Sequence, residues 1–177
     1  STHCCDWRLE TFRPNLDFRG FCGTVASGEV QQGDNIVVLP SNKTAKVARI
    51  VTIDGDLDQA IAGQAITLVL DREIDISRGD MICSPVHPPS VADQIAAHVV
   101  WMDEHPMLPG RPYLVRFATA MTGAQVTELK YRIDVNSLEH VAAKHLELNE
   151  IGFCNLSLDK PLPLDSYVEN RETGSFV

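Results

Sequence analysis

The chain has 177 residues, 44% of them hydrophobic, which is enough for one medium domain or two small ones with real cores and argues against disorder. Its formal net charge is -9 and its sequence pI about 5.0. Such a surface repels phosphate backbones, and the basic side chains are scattered, with Lys43, Lys46 and Arg49 only a loose grouping; nucleic acid is therefore not expected as the primary partner.

The five cysteines are an odd number, and none stands in a CxxC spacing. Reduced thiols in a cytoplasmic protein are expected, with Cys22, Cys83 and Cys154 as small core residues. No apolar run approaches the length of a membrane span, and Ser1 to Asp6 shows no signal-peptide pattern, so no membrane partner is expected.

Taken in order, Ser1 to Asp6 has no periodic pattern, and Cys4-Cys5 with His3 reads as a frayed tail. Trp7 to Phe12 alternates as a first strand, which Arg13-Pro14-Asn15 breaks. Phe18 to Asp34 is rich in glycine between β-favouring residues. It predicts two strands joined by tight glycine turns, the opening meander of a small closed barrel. Strands are predicted next at Ile36–Leu39, Ala45–Ile53, Ala65–Leu70 and Ile76–Cys83, separated by turn signals at 40–42, 54–56 and 62–63. Short strands at even spacing argue for an all-β barrel or sandwich. Residues 87–90, His-Pro-Pro-Ser, form the best linker in the chain, dividing it into 1–86 and 91–177.

The second half restarts the pattern, with strands predicted at Gln94–Met102, Tyr113–Phe117 and Gln125–Val135, the last being the longest. Over 137–148, Leu138, Val141, Ala142 and His145 fit helical spacing behind a cap at Asn136 or Ser137, although an ordered loop fits nearly as well. Phe153–Leu158 returns to strand, Lys160-Pro161-Leu162-Pro163 interrupts it, and Gly174–Val177 reads as a last strand.

Each chemical motif has a plainer explanation. No GxxxxGK[ST] run cradles phosphate. Asn42-Lys43-Thr44-Ala45 lacks the carboxylate of a guanine-reading motif and is a hairpin turn. Asp54-Gly55-Asp56-Leu57-Asp58 lacks the sixth-position glycine and twelfth-position glutamate of a calcium loop and is an acidic turn. Arg78-Gly79-Asp80 is a turn between strands. On a helix, His140 and His145 would lie on different faces, unlike a zincin pair, and His98 reads as solvated. No serine or cysteine has a nucleophile-elbow context, so neither a catalytic, a cofactor nor a metal site is expected.

Arg13-Pro14-Asn15-Leu16-Asp17-Phe18-Arg19-Gly20-Phe21, Gly23-Thr24-Val25-Ala26-Ser27-Gly28, Gly33-Asp34 and Glu73 to Asp80 resemble the second domain of the GTPase subunit of bacterial ATP sulfurylase. That family, the large subunit of sulfate adenylyltransferase, is related to elongation factor Tu. The resemblance continues through Val100-Trp101-Met102, Pro109-Gly110-Arg111, Lys130 to Asn136, Asn149-Glu150-Ile151-Gly152 and Glu169 to Phe176, and spans roughly Phe12 to Val177. Residues 7–11 depart from the family's first strand.

The resemblance implies an all-β chain of two tandem small barrels, of the translation-factor domain II and domain III types, following a GTP-binding domain. None of that domain's phosphate, magnesium or base-reading residues has a position in these 177 residues, which would make the chain a domain piece, a truncated gene product or a rearranged mobile copy. It also implies docking on the GTP-binding domain and on the smaller adenylyltransferase subunit, with no activity from this chain alone. Arg13, Arg19, Arg111 and Arg171 are the candidates for contacts between domains or with a partner, against the equal alternative of solvated turn arginines. A free-standing protein-interaction module is the second reading and a tRNA-binding role the third; self-association of the barrels stays open.

Overall fold

In the computed structural model, the structure describes residues 19–118 and 120–177, together with the backbone of 4–6 and 11–12. The chain divides into two compact units, Ser1–Val91 with Arg116–Met121 and Leu162–Val177, and Ala92–Val115 with Thr122–Pro161. Among the described residues there is no helix, and none long and apolar enough to cross a membrane.

The first sheet is built from β1 (Cys4–Asp6), β2 (Thr11–Phe12), β3 (Gly20–Ser27), β5 (Asn35–Leu39), β6 (Lys43–Thr52), β7 (Gly55–Leu57), β9 (Ala65–Leu70) and β10 (Met81–Cys83). Its order is β1-β10-β5-β6-β9-β3-β2, and β1 also pairs with β3, so six strands close into a barrel. Closure removes the exposed edges that an open sheet would present. Residues 4–6 are thus the closing strand and not a frayed tail: Cys5 stands opposite Ile82 on one side and Val25 on the other. Of the strand predicted over 7–12, Thr11 and Phe12 pair with Phe21 and Gly20, and 7–10 lie outside the described residues.

Inside the barrel, one face of each strand points to one core: Phe21 and Val25, Ile36 and Val38, Val47 and Ile50, Ile66 and Leu68, and Ile82, with a register shift between Val47 and Arg49 bringing Ile50 to the same side as Val47. These are mostly β-branched or aromatic side chains, which suit a pleated, buried surface. β5 is apolar on both faces because Val37 and Leu39 form a second cluster with Met81 and Cys83. Two expectations change here. β3 does not pair with β4 (Glu29–Gln31) as a meander; β4 pairs with β8 (Gln59–Ile61) as a separate ribbon, and β3 lies beside β9. Of Ile76–Cys83 only the last three residues are strand. Ser77 to Asp80 close a turn in which Ser77 N donates to Asp80 Oδ2 at 2.7 Å and Gly79 takes φ +94°.

The second sheet, of β11 (Ser90–Val100), β12 (Pro112–Phe117), β13 (Ala120–Ile133), β14 (His140–Val141) and β15 (Ile151–Leu164), runs β11-β15-β13-β12 with β14 on β13. In the second unit Met107, Val126, Leu146, Cys154 and Leu156 are buried, and Met107 and Leu146 exchange two backbone hydrogen bonds. The helix weighed for 137–148 is absent. Leu138 adopts φ +58° and donates its N–H to Asp134 O at 2.7 Å, a tight turn that a right-handed helix cannot continue, and His140–Val141 then pair as strand. Nor do the prolines interrupt β15, which continues to Leu164. Amides two residues apart point the same way, so Pro161 and Pro163 cost donors on one edge only, beyond the last β13 pair at Leu158. Gly174–Val177 form a turn and a single bridge, Phe176 to Phe117, not a strand.

Candidate interaction site

The four arginines singled out from the sequence do not converge. Arg13 lies outside the described residues. Arg19, at the entry to β3, is three-quarters buried and works within the barrel. Its guanidinium stands 5.5 Å over the Phe21 ring and 3.9 Å from both Glu73 and Asp75, and Lys43 reaches Asp75 at 3.5 Å. It therefore fastens the 71–75 connection to the barrel wall. Arg171 is exposed, 5.9 Å from the Tyr167 ring, and belongs to the first unit. Arg111 is exposed in the second unit, where its charge helps hold the Asp103 carboxyl below its usual range, chiefly the work of the His105 N–H.

The motifs with plain explanations are occupied by local structure. Asp56 meets Arg49 through two contacts, at 2.7 and 3.0 Å, and Asn42 takes φ +57° in the β5–β6 hairpin. His145 Nε2 lies 2.9 Å from Glu147 Oε1. Cys83 and Cys154 are buried and Cys22 is half-buried, its Sγ 3.3 Å from Thr67 Oγ1.

A constellation that sequence reasoning missed crosses the second sheet. His98 on β11, Phe153 on β15, Tyr131 on β13 and His140 on β14 form a continuous row of rings over four neighbouring strands. Centroid distances are 4.8 Å from His98 to Phe153, 5.4 Å from Phe153 to Tyr131 and 3.8 Å from Tyr131 to His140. Along β15 the core takes Gly152, Cys154, Leu156 and Leu158, so Phe153 is sent to the outer face by the two-residue period. On β13 the same side chain direction is set by a bulge. Leu129 pairs with Cys154 and Tyr131 with Phe153, which leaves Lys130 as the extra residue. Bulges re-aim side chains and are frequent beside functional surfaces. Here the bulge puts Tyr131 opposite Phe153 and leans the Lys130 ammonium over that ring at 5.6 Å.

The floor of this surface is braced by charge. Arg132 contacts Glu150, whose carboxyl is held below its usual range first by the N–H of Glu147 at 2.8 Å, then by Arg132. The connection after β11 is also fixed: Trp101 Nε1 donates to His105 O at 2.7 Å and Trp101 meets the Tyr113 ring edge-on at 5.4 Å. The Tyr113 hydroxyl accepts from Leu108 N at 2.8 Å. The exposed side chains of Met102 and Leu108 are thereby presented on an ordered loop.

Against known families, residues 22–83 match elongation factor Tu domain 2, and residues 94–177 match the family described as GTP-eEF1A C-terminal domain-like. The chain is 59% identical over 165 residues to the bifunctional enzyme NodQ of Rhizobium sp. (strain N33), covering 93% of this chain and 26% of that protein. It is 52% identical to sulfate adenylyltransferase subunit 1 of Aeromonas hydrophila, covering 93% of this chain and 35% of that one. It thus spans only about a quarter to a third of the length of these relatives. Among solved structures, sup35 complexed with GDP superposes with a TM-score of 0.88 at 15% identity, over 99% of this chain and 43% of that one. Elongation factor SelB of Methanococcus maripaludis gives 0.74 at 19% identity, over 93% of this chain and 37% of SelB. Both confirm a translation-factor fold. The chain thus joins an elongation factor Tu domain 2 to a GTP-eEF1A C-terminal-like domain, and its relatives include sulfate adenylyltransferase subunit 1 and NodQ.

Proposed function

We propose that this chain serves as the tandem-barrel docking portion of the GTPase subunit of a sulfate adenylyltransferase, divided as 1–86 and 91–177 around the 87–90 linker and working in the cytoplasm. Its partners on this reading are a GTP-binding domain and the smaller adenylyltransferase subunit, and the chemistry of sulfate activation lies in them. The observation that carries it is 52% identity to a sulfate adenylyltransferase subunit 1 across 93% of this chain, both barrel regions included, with no phosphate-cradling motif within these residues. Exposed Arg111 and Arg171 stay candidates for partner contacts, as does Arg13, which lies outside the described residues; Arg19 is engaged within its own barrel.

Two measurements test this. Co-expressed with a smaller adenylyltransferase subunit, the chain should co-purify through size exclusion, and separate elution at micromolar concentration would overturn the docking role. Equilibrium binding of labelled GTP to the chain alone should show no saturable site, and micromolar affinity would overturn the assignment of nucleotide chemistry to a neighbour.

A further inference from the structure

We propose that Cys4 and Cys83 form a cross-strand disulfide when the surroundings turn oxidising, a modification that fastens the closing strand of the first barrel to its neighbour. This goes beyond the sulfate-activation reading and does not depend on it. β1 lies between β10 and β3, and its register on β10 sets Cys4 directly opposite Cys83, Cys5 opposite Ile82 and Asp6 opposite Met81. Residues directly opposite in an antiparallel pair share a face of the sheet, with Cα atoms about 4.5 or 5.5 Å apart according to their place in the ladder. A disulfide takes Cα separations of about 4.4–6.8 Å, so either place admits one.

The same register excludes the other sulfurs. Cys5 stands opposite Ile82 and Val25, both members of the inner core, and successive residues of a strand take opposite faces, so Cys5 and Cys83 are on different faces. The register shift between Cys4 and Cys5 falls on the β3 side and leaves the β1–β10 ladder regular. Cys22 pairs with Thr67 on β9, its Sγ 3.3 Å from that hydroxyl, and Cys154 belongs to the other unit. Cys83 is a free thiol, 2% exposed, whose S–H donates to Val37 O at 3.7 Å. Such a bond is weak, and one step between staggered rotamers releases the sulfur from β5.

With a low-molecular-weight disulfide such as glutathione disulfide as oxidant, the steps balance. Burial of Cys83 leaves the first exchange to Cys4. Its thiolate attacks one glutathione sulfur and expels a glutathione thiolate, which takes up the proton that Cys4 gave up. The Cys83 thiolate then attacks the Cys4 sulfur of this mixed disulfide and expels the second glutathione, protonated in the same way. The two cysteine sulfurs lose two electrons, and one glutathione disulfide becomes two thiols. In a compartment where glutathione is reduced the pair rests as thiols, so the seam is covalent only under oxidation.

The test oxidises the dilute 177-residue chain with glutathione disulfide, traps the remaining thiols with N-ethylmaleimide in urea and maps the tryptic peptides without reduction. A linked pair of the peptides carrying Cys4 and Cys83, separated by dithiothreitol, is expected in the wild type and in Cys5→Ser, from protein that runs as a monomer on a non-reducing gel. Cys4→Ser and Cys83→Ala should both lack it; should Cys83→Ala fail to fold, Cys4→Ser alone decides. The oxidised chain should also unfold at a urea midpoint about 1 M above that of the reduced one, since the cross-link closes a long loop in the unfolded state. A link that survives in Cys4→Ser, Cys83 recovered as the maleimide or glutathione adduct, a link found only in dimers, or an unchanged midpoint would each overturn the proposal.

Discussion

A Cβ placed on Gly174 would lie 2.6 Å from the backbone nitrogen of Tyr167, and 2.7 Å from Asn170 O. Gly174 N also donates to that same Asn170 carbonyl at 2.9 Å, so the close approach belongs to the turn's own hydrogen bonding. Gly152 differs in kind, since a Cβ there would meet the tips of Leu129 and Leu146 at 2.8 Å. Side-chain tips can rotate away and backbone cannot. Gly174→Ala should therefore cost about 3 kcal/mol or more and Gly152→Ala about 1–2 kcal/mol, compared by urea unfolding. The opposite ranking would show that the second core is packed more rigidly than the C-terminal turn.

Acid should destabilise the chain through its loop carboxylates. Asp71 is held below its usual range by the Lys46 N–H, Asp103 by the His105 N–H, Asp134 by the N–H groups of Asn136 and Ser137, and Glu150 by that of Glu147. A carboxyl depressed in the folded state binds fewer protons there than in the unfolded one. Its stabilisation is then complete above the unfolded value, near pH 4, and is lost as pH falls through the folded value. The urea midpoint should be flat near neutrality and drop below about pH 4. Asp134→Asn keeps an acceptor oxygen for the turn but cannot titrate, so its acid slope should be the shallower one.

Cys154 should be chemically silent in the folded protein. It is fully buried, and burial pushes its thiol up to about 11. The reactive thiolate is thus scarce at pH 8 and also out of reach. Peptide mapping after brief iodoacetamide treatment should find Cys154 unmodified in native protein and modified in urea. Native labelling at a rate near that of the denatured chain would mean that the sheet carrying Phe153 and Tyr131 opens readily.

How far the sequence was legible depended on whether a signal stayed within one strand. Ala65–Leu70 is found residue for residue, because a dense apolar run there is bounded by Gly63-Gln64 and Asp71. β13 looked like unbroken alternation from Gln125, which would put Val126, Glu128, Lys130 and Arg132 on one face. Two register shifts, between Val126 and Glu128 and between Leu129 and Tyr131, break that pattern. The first brings Leu129 opposite Cys154 on the core side and turns Glu128 away, and the second returns Arg132 to the core side opposite Gly152; bulges leave no compositional mark without glycine. Leu138, Val141, Ala142 and His145 kept helical spacing, yet the positive φ at Leu138 is set by Asp134 and the strand pairing of His140, neither of which is a local propensity. The ring row was invisible for the same reason. Its four members come from four strands, so it exists only through register.

Arg19 gives the last prediction, and it separates a barrel fastener from a partner contact. The stacking of its guanidinium on Phe21 and the burial of its stem should matter more than its ion pairs, since Glu73 and Asp75 are largely exposed. Arg19→Ala should then lower unfolding stability by about 1 kcal/mol, and most of that loss should persist in 0.5 M salt, a concentration at which about 4 Å of screening length weakens the exposed pairs. Arg19→Met, which keeps an apolar stem over the ring, should recover part of the loss. Arg111→Ala and Arg171→Ala should leave the urea midpoint unchanged, because neither guanidinium is buried. If Arg19→Ala were instead neutral in the isolated chain but weakened co-purification with a smaller adenylyltransferase subunit, Arg19 would belong to the interface and not to the barrel wall.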